Sequence, residues 1–397
     1  MAKNIAVGID IGTYQIKVVV LENDRKDGKD NYKIIGTGFA ESKGLRHGYI
    51  INSGDTEKSL GMAINQAEKT ANIKIKRAFL SIGGIGVGSI ISHGSLIIPR
   101  ADSEITEIDV KNVLSIAESE IPSNISINKK IVHTIPISYK IDGKIVLGRP
   151  VGMKGIKFEA KVLFVTCLEH HLNDLINTVE DCGIEVINIM ASPLAGSMVV
   201  LNKTQKIAGC ILANIGSETV SLVVFENNMP ISLDVFPIGG TDITNDIALG
   251  LKIPLEEAEN LKINDGDTNY PKKRLEEIIL ARLSDIFDLI ESHLKKLGRS
   301  GLLPAGIILT GGTSGVSTIE DLARATLKLP SKLGSINFTT DMKNCQIKDS
   351  SWSVAYGLCV WGLSSGEEIS FGSSTGSGTR SKGLFGSLFS WFKQFLP

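Results

Sequence analysis

The sequence predicts an α/β protein of two similar lobes around a shared cleft, and three observations carry that reading. Strand-like and helix-like segments alternate along most of the 397 residues, the pattern of layered α/β architectures. A strand–turn–strand unit occurs twice, roughly 200 residues apart. Between the copies, one stretch breaks the rhythm and reads as an insertion.

The first copy opens the chain. Residues 5–10 are an apolar run ending in Asp10, Gly12 and Thr13 form a polar tip, and residues 16–21 are a second apolar run. The second copy has residues 211–214, the turn Gly216-Ser217-Glu218-Thr219 and residues 220–225. Set side by side, IDIGTYQIKVVVL and ANIGSETVSLVVF place strand, turn and strand in one register. One hairpin per half predicts duplicated lobes, each presenting a turn to a common cleft.

The interruption covers residues 84–167. There, 105–120 has the helical period through Ile108, Val110, Val113, Leu114 and Ala117, and Pro136, Gly143, Pro150 and Gly152 punctuate short strands. Residues 172–182 form an amphipathic helix closed by Gly183, before a strand at 184–189. In the second half, residues 274–297 form a long helix ending at Gly298. Its apolar stripe is Ile278, Ile279, Leu283, Ile286, Leu289, Ile290 and Leu294. Residues 364–383 are mostly Ser, Gly and Thr and read as a flexible linker.

Composition narrows the function classes. Apolar content of 42% supports full-sized cores, and a net charge of −1 gives no global attraction to nucleic acid. The five cysteines contain no C-x-x-C and read as small buried hydrophobes; the His170-His171 pair does not read as a metal site. With no signal-peptide pattern and no apolar run of about 20 residues, the body is expected in the cytoplasm.

Holding a phosphate takes backbone N–H groups brought close, hydroxyls, and a carboxylate that orders waters around a divalent cation. Asp10, Gly12 and Thr13 offer each part. Gln15 and Lys17, two apart on a strand, share a face. Either could reach a phosphate oxygen, although Lys17 equally suits a solvated sheet edge. Alone, this turn also fits a plain hairpin tip. Two further turns strengthen the phosphate reading: Gly239-Gly240-Thr241-Asp242, ahead of a helix beginning near Thr244, and Gly311-Gly312-Thr313, between a buried strand at 307–309 and a helix from Ile319. Strand–Gly-Gly–helix units either aim amides at a ligand or leave bare backbone for a flat base.

After the linker comes GLFGSLFSWFKQFLP. At about 100° per residue, Leu384, Phe385, Leu388, Phe389, Trp391, Phe392, Phe395 and Leu396 fall on one face, opposite Ser387, Ser390, Lys393 and Gln394. Such a helix suits a membrane surface.

Two phosphate hairpins followed by a Gly-Gly turn and an adenosine-type loop resemble the actin, Hsp70 and sugar-kinase pattern. Within it, residues 5 to about 363 are similar to FtsA, the actin-like bacterial cell-division family that tethers FtsZ to the membrane. VHTIPISYKIDGKIVLGRPVGMKGIKFEAKVLFVTC resembles that family's own inserted subdomain, and FPIGGTDITNDIALGL, PLEEAENLK, AGIILTGGTSGV and SSWSVAYGLCVWGL resemble its other motifs.

The resemblance implies an actin-like (ribonuclease-H-like) two-lobed fold. Residues 1–83, 168–196 and the returning 352–363 would form the first lobe, 84–167 an inserted SHS2-like α+β subdomain, and 197–351 the second lobe. Within the second lobe, 245–304 would bind FtsZ; residues 384–397 would be the membrane helix. It implies ATP with Mg²⁺: Asp10, Gly12, Thr13, Tyr14, Gln15 and Lys17 at the first phosphate loop, and Gly216, Ser217 and Thr219 at the second. Gly239 and Gly240 would lie under ribose and phosphates, Glu259 and Lys262 beside ribose and adenine, and Gly311, Gly312 and Thr313 at the adenosine. Asp10 and Asn214 would hold Mg²⁺ through water. The implied partners are the FtsZ C-terminal tail at Lys272, Lys273 and Arg282, further copies of the chain in a filament, membrane lipid, and other division proteins, at the cytoplasmic face of the membrane at the septum.

Two departures stand out. The family's second loop usually reads D-I-G-G-G-T-x-D, where this chain has Asn214-Ile215-Gly216-Ser217-Glu218-Thr219-Val220-Ser221. The usual Lys after the first Thr is displaced, with Gln15 there and Lys17 two residues on. ATP binding with slow hydrolysis is therefore expected, and Glu218 is repulsive to phosphate unless it points away. The rival readings are a pilus scaffold of the PilM kind, for which the tail and insertion are unexpected, and a phosphotransferase, for which no catalytic base stands out.

Overall fold

A computed structural model describes residues 4–24, 30–263, 270–316, 318–336, 339–340 and 349–364. The terminal amphipathic segment, 384–397, and nearly all of the linker before it lie outside the described residues.

Two sheets follow one plan. The first runs, in spatial order, Glu185–Ala191, Arg77–Ile82, Asn4–Ile11, Gln15–Asn23, Tyr32–Glu41 and Thr339–Thr340. The second runs Ser331–Leu333, Ile307–Thr310, Cys210–Ile215, Val220–Glu226 and Met229–Phe236. In both, the hairpin carries a third antiparallel strand on one side and two parallel strands on the other. The repetition read from two hairpins thus extends to five strands. Their apolar runs are continuous because central strands covered on both faces bury every side chain; residues 18–21 and 222–225 are all buried.

Helices Ser53–Ala71 and Ser353–Ser364 pack on the first sheet. The latter brings the Ala355 carbonyl against Gly8 and donates from Cys359 Sγ to Val19 O at 3.3 Å. The insertion is an antiparallel sheet, Gly88–Ile97, Lys157–Leu168, Lys129–Ile141 and Lys144–Val146, with its own core under helix Glu107–Ser119. That helix starts two residues later than its periodicity predicts. Thr106 and Asp109 exchange side-chain-to-backbone bonds as an N-cap, and Ile108 is left 67% exposed, outside the stripe.

The long helix spans Lys272–Lys296 and ends before Gly298, whose φ is +66°. It buries Leu275, Ile279, Leu283, Ile286, Phe287, Ile290 and Leu294. The stripe is therefore rotated slightly from the expected one, taking in Leu275 and Phe287 and leaving Leu289 at the edge. Among the described residues, no helix is long and apolar enough to cross a membrane.

Candidate nucleotide cleft

Both hairpin turns open into one cleft of about 920 Å³, the size of a small-molecule site. Asp10, Gly12, Thr13, Tyr14, Gln15 and Lys17 line it from the first lobe. Asn214, Gly216, Ser217 and Thr219 line it from the second, with Gly240, Glu259, Lys262, Gly311, Gly312 and Thr313 above them. Of the expected nucleotide residues, only Gly239 does not line it.

The cross-strand register shows how the two turns differ. Asp10 pairs with Lys17 and Asn214 with Ser221. The positions are equivalent, so opposite charges in the first lobe are replaced by neutral groups in the second. Ser81 Oγ, on the neighbouring strand, donates to Asp10 Oδ1 at 2.8 Å. Burial pushes the Asp10 carboxyl pKa up despite the Lys17 ammonium and the Ser81 hydroxyl, and burial pushes the Lys17 ammonium down despite Asp10 and Asp349. A cation beside Asp10 would relieve this desolvation. Lys17 is not a solvated edge residue: its Nζ donates to Ser351 O at 3.0 Å and lies 5.8 Å above the Trp352 ring.

The second turn interlocks with both Gly-Gly turns. Gly216 O accepts from Gly240 N at 2.9 Å and from Thr313 Oγ1 at 3.0 Å, and Ser217 O accepts from Thr241 N at 2.7 Å. The first two amides of helix Gly240–Leu251 are thus committed to protein. Gly239 stands behind it, where a Cβ would lie 2.4 Å from Ser217 O. Its role is to let the turns approach. Gly312 has open space where a Cβ would project, which suits a flat group lying on backbone.

Lys262 Nζ donates to Glu259 Oε2 at 2.6 Å, Thr244 Oγ1 at 2.8 Å and Gly240 O at 3.1 Å. The expected ribose and adenine pair is therefore also a brace between helix Leu255–Ile263 and the start of helix Gly240–Leu251.

Comparison with known proteins gives this cleft its family. Residues 84–166 match the family described as SHS2 domain inserted in FTSA, and residues 211–357 match Cell division protein FtsA. Cell division protein FtsA of Pseudomonas aeruginosa is 32% identical over 383 residues, covering 90% of this chain and 89% of its own. The chain belongs to the FtsA family. The Bacillus subtilis member is 30% identical, covering 84% of this chain and 79% of its own. Among solved structures, the PilM–PilN type IV pilus biogenesis complex superposes with a TM-score of 0.68 at 17% identity, covering 90% of this chain and 98% of that one. MreB 5 of Spiroplasma citri bound to AMPPNP gives 0.50 at 12% identity, covering 90% and 96%. These likenesses show the actin-like fold.

In this FtsA-family chain, the three basic residues expected at the FtsZ tail site do not converge. Lys272 and Lys273 are exposed at the start of the long helix. Arg282 is nine residues past Lys273, about half a rotation away and roughly 13 Å along the axis. Its guanidinium is bidentate to Asp246, at 2.6 and 3.0 Å, and 3.3 Å from Asp285. Arg282 thus ties two helices of its own lobe.

Sequence reasoning missed Ser81 and Thr244, whose hydroxyls donate to Asp10 and Glu259, because Ser81 lies on another strand from Asp10 and Thr244 on another helix from Glu259. Glu218 is not among the residues lining the cleft, and its carboxylate accepts from His47 N of the first lobe. Ser232, His293 and Asp234 stand in the order of a nucleophile triad, with Ser232 Oγ 2.9 Å from His293 Nε2 and His293 Nδ1 3.4 Å from Asp234. Ser232 is 5% exposed and does not line the cleft, so this network packs the lobe. Among the described residues, no cluster of His, Cys, Asp or Glu could hold a metal unaided.

Proposed function

We propose that this FtsA-family chain binds ATP with Mg²⁺ in the cleft, assembles with copies of itself, and holds FtsZ at the cytoplasmic face of the membrane at the division site. The observation that carries the reading is the meeting of two glycine-turn hairpins, one per lobe, at a single cleft in a chain related over most of its length to cell-division proteins. The residues present fit the ligand: a carboxylate at Asp10 whose desolvation a bound cation would offset, hydroxyls at Thr13 and Thr219, and open backbone at Gly312. Asp10 would hold Mg²⁺ through water, with neutral Asn214 opposite. The nucleotide analogue in the superposed MreB 5 supports the assignment.

The sequence of 384–396 supports a membrane role. Eight large apolar side chains, partly immersed, give a gross gain of about 10 kcal/mol, and ordering the helix offsets several of these. One tail therefore binds reversibly, and an array of tails on an assembly binds tightly. The test of the cleft is titration of the full chain with mant-ATP in Mg²⁺ and in EDTA. Saturable, Mg²⁺-dependent binding that Asp10→Asn weakens at least tenfold supports the reading, and binding unaffected by both changes refutes it.

A further inference from the structure

Strands Leu45–Arg46 and Tyr49–Ile50 form a small hairpin in the first lobe, with His47 and Gly48 at its tip. Both tip residues have positive φ, 49° and 84°, the pair that a two-residue type I′ turn demands. Such a turn leaves the two central N–H groups unpaired within the hairpin, and each must find a partner outside it. They find one on each phosphate turn. Gly48 N donates to Thr13 Oγ1 in the first turn at 3.1 Å, and His47 N donates to the Glu218 carboxylate in the second. The His47 ring adds to this, with Nδ1 3.1 Å from Glu218 O and 4.0 Å from its carboxylate. The tip also meets a third element. Ile85 N donates to His47 O at 3.3 Å, and a Cβ on Gly48 would stand 2.4 Å from Gly84 Cα. Gly84 and Ile85 lead into the inserted subdomain.

We propose that Glu218 is a clasp across the cleft: through the His47–Gly48 tip it fixes the spacing of the two phosphate turns and links that spacing to the root of the inserted subdomain. Its effect on ligand exchange rests on the cleft being a nucleotide site, whereas the clasp itself does not. A glutamate beside phosphates would repel them; here its carboxylate is spent on the opposite lobe. Nucleotide leaves when the turns separate, so breaking the clasp speeds release. A bare negative charge near the phosphates predicts the reverse sign, because removing it would slow release.

The experiment is stopped-flow release of mant-ATP from the full chain in Mg²⁺, comparing wild type, Glu218→Ala and Glu218→Gln. A partly exposed hydrogen bond to a charged acceptor is worth about tenfold. Glu218→Ala is therefore expected to release about tenfold faster, with Glu218→Gln, which keeps an acceptor oxygen, in between. Unchanged or slower release in Glu218→Ala overturns the proposal. Hydrogen exchange on the nucleotide-free chain gives a readout independent of ATP. The amides of His47, Gly48 and Ile85 should lose protection together, by about tenfold, in Glu218→Ala. If that happens in a chain that binds no mant-ATP, the nucleotide reading fails and the clasp stands. If those amides are unmoved, the clasp is wrong whatever the nucleotide does.

Discussion

Separating Lys262 from Glu259 should loosen the top of the cleft by a measurable amount. The pair lies at 2.6 Å, with side chains 11% and 35% exposed. At an effective dielectric near 20, the gross attraction is about 6 kcal/mol, most of which desolvation cancels. Exposed pairs contribute about 0–1 kcal/mol and broken buried pairs cost about 3–5 kcal/mol; this pair lies between, so a coupling of about 2 kcal/mol is expected. Lys262→Met also removes the bonds to Thr244 and Gly240 O, raising its own cost to about 3 kcal/mol. The assay is hydrogen exchange over Gly240–Leu251 and Leu255–Ile263 for Lys262→Met, Glu259→Gln and the double variant. A coupling of 2 kcal/mol is about a 30-fold departure from additivity in protection. Additive effects within about 0.3 kcal/mol would refute the brace, and with it the claim that these residues position the cleft's upper wall.

Three further outcomes follow from the same geometry. Gly239→Ala forces a Cβ against Ser217 O and Glu218 N, at 2.4 and 2.7 Å; a loss of about 2 kcal/mol in stability and weaker mant-ATP binding are expected, by thermal melt and titration. Asn214→Asp restores a carboxylate opposite Asp10 and is expected to raise ATP turnover, followed by phosphate release, from a low wild-type rate; brisk wild-type turnover would contradict this. His133, buried and accepting from Ala191 N at 3.1 Å, has its pKa lowered by burial from 6.5 to about 4. Its folded pKa lies below the unfolded one, so the neutral ring's contribution is intact above about pH 6.5 and is lost as pH falls toward 4. That is about 3 kcal/mol, which urea melts at stepped pH will show and His133→Gln should flatten.

The sequence made visible whatever is local. The two hairpins, the Gly183 and Gly298 helix stops and the cleft's glycine turns all follow from periodicity and turn chemistry within a dozen residues. What stayed hidden depends on groups far apart in the chain: Ser81 reaching Asp10, Ser351 accepting from Lys17, and Glu218 reaching His47 across 171 residues. Gly239 read as a ligand contact because a Gly-Gly turn looks the same whether ligand or protein lies against it. Lys272, Lys273 and Arg282 come from the family resemblance, which carries over residue types and says nothing of the ion pair each side chain makes in its own fold. The Asp246 pairing of Arg282 comes from a helix 36 residues earlier.

The most direct test of the account is co-pelleting with anionic liposomes in ATP and Mg²⁺, with a fluorescent FtsZ C-terminal peptide, for the full chain and a chain ending at Glu368. The full chain should pellet and carry the peptide with it, while the shortened chain binds peptide but stays in the supernatant. Equal pelleting of both chains, or pelleted protein that leaves the peptide behind, would contradict it.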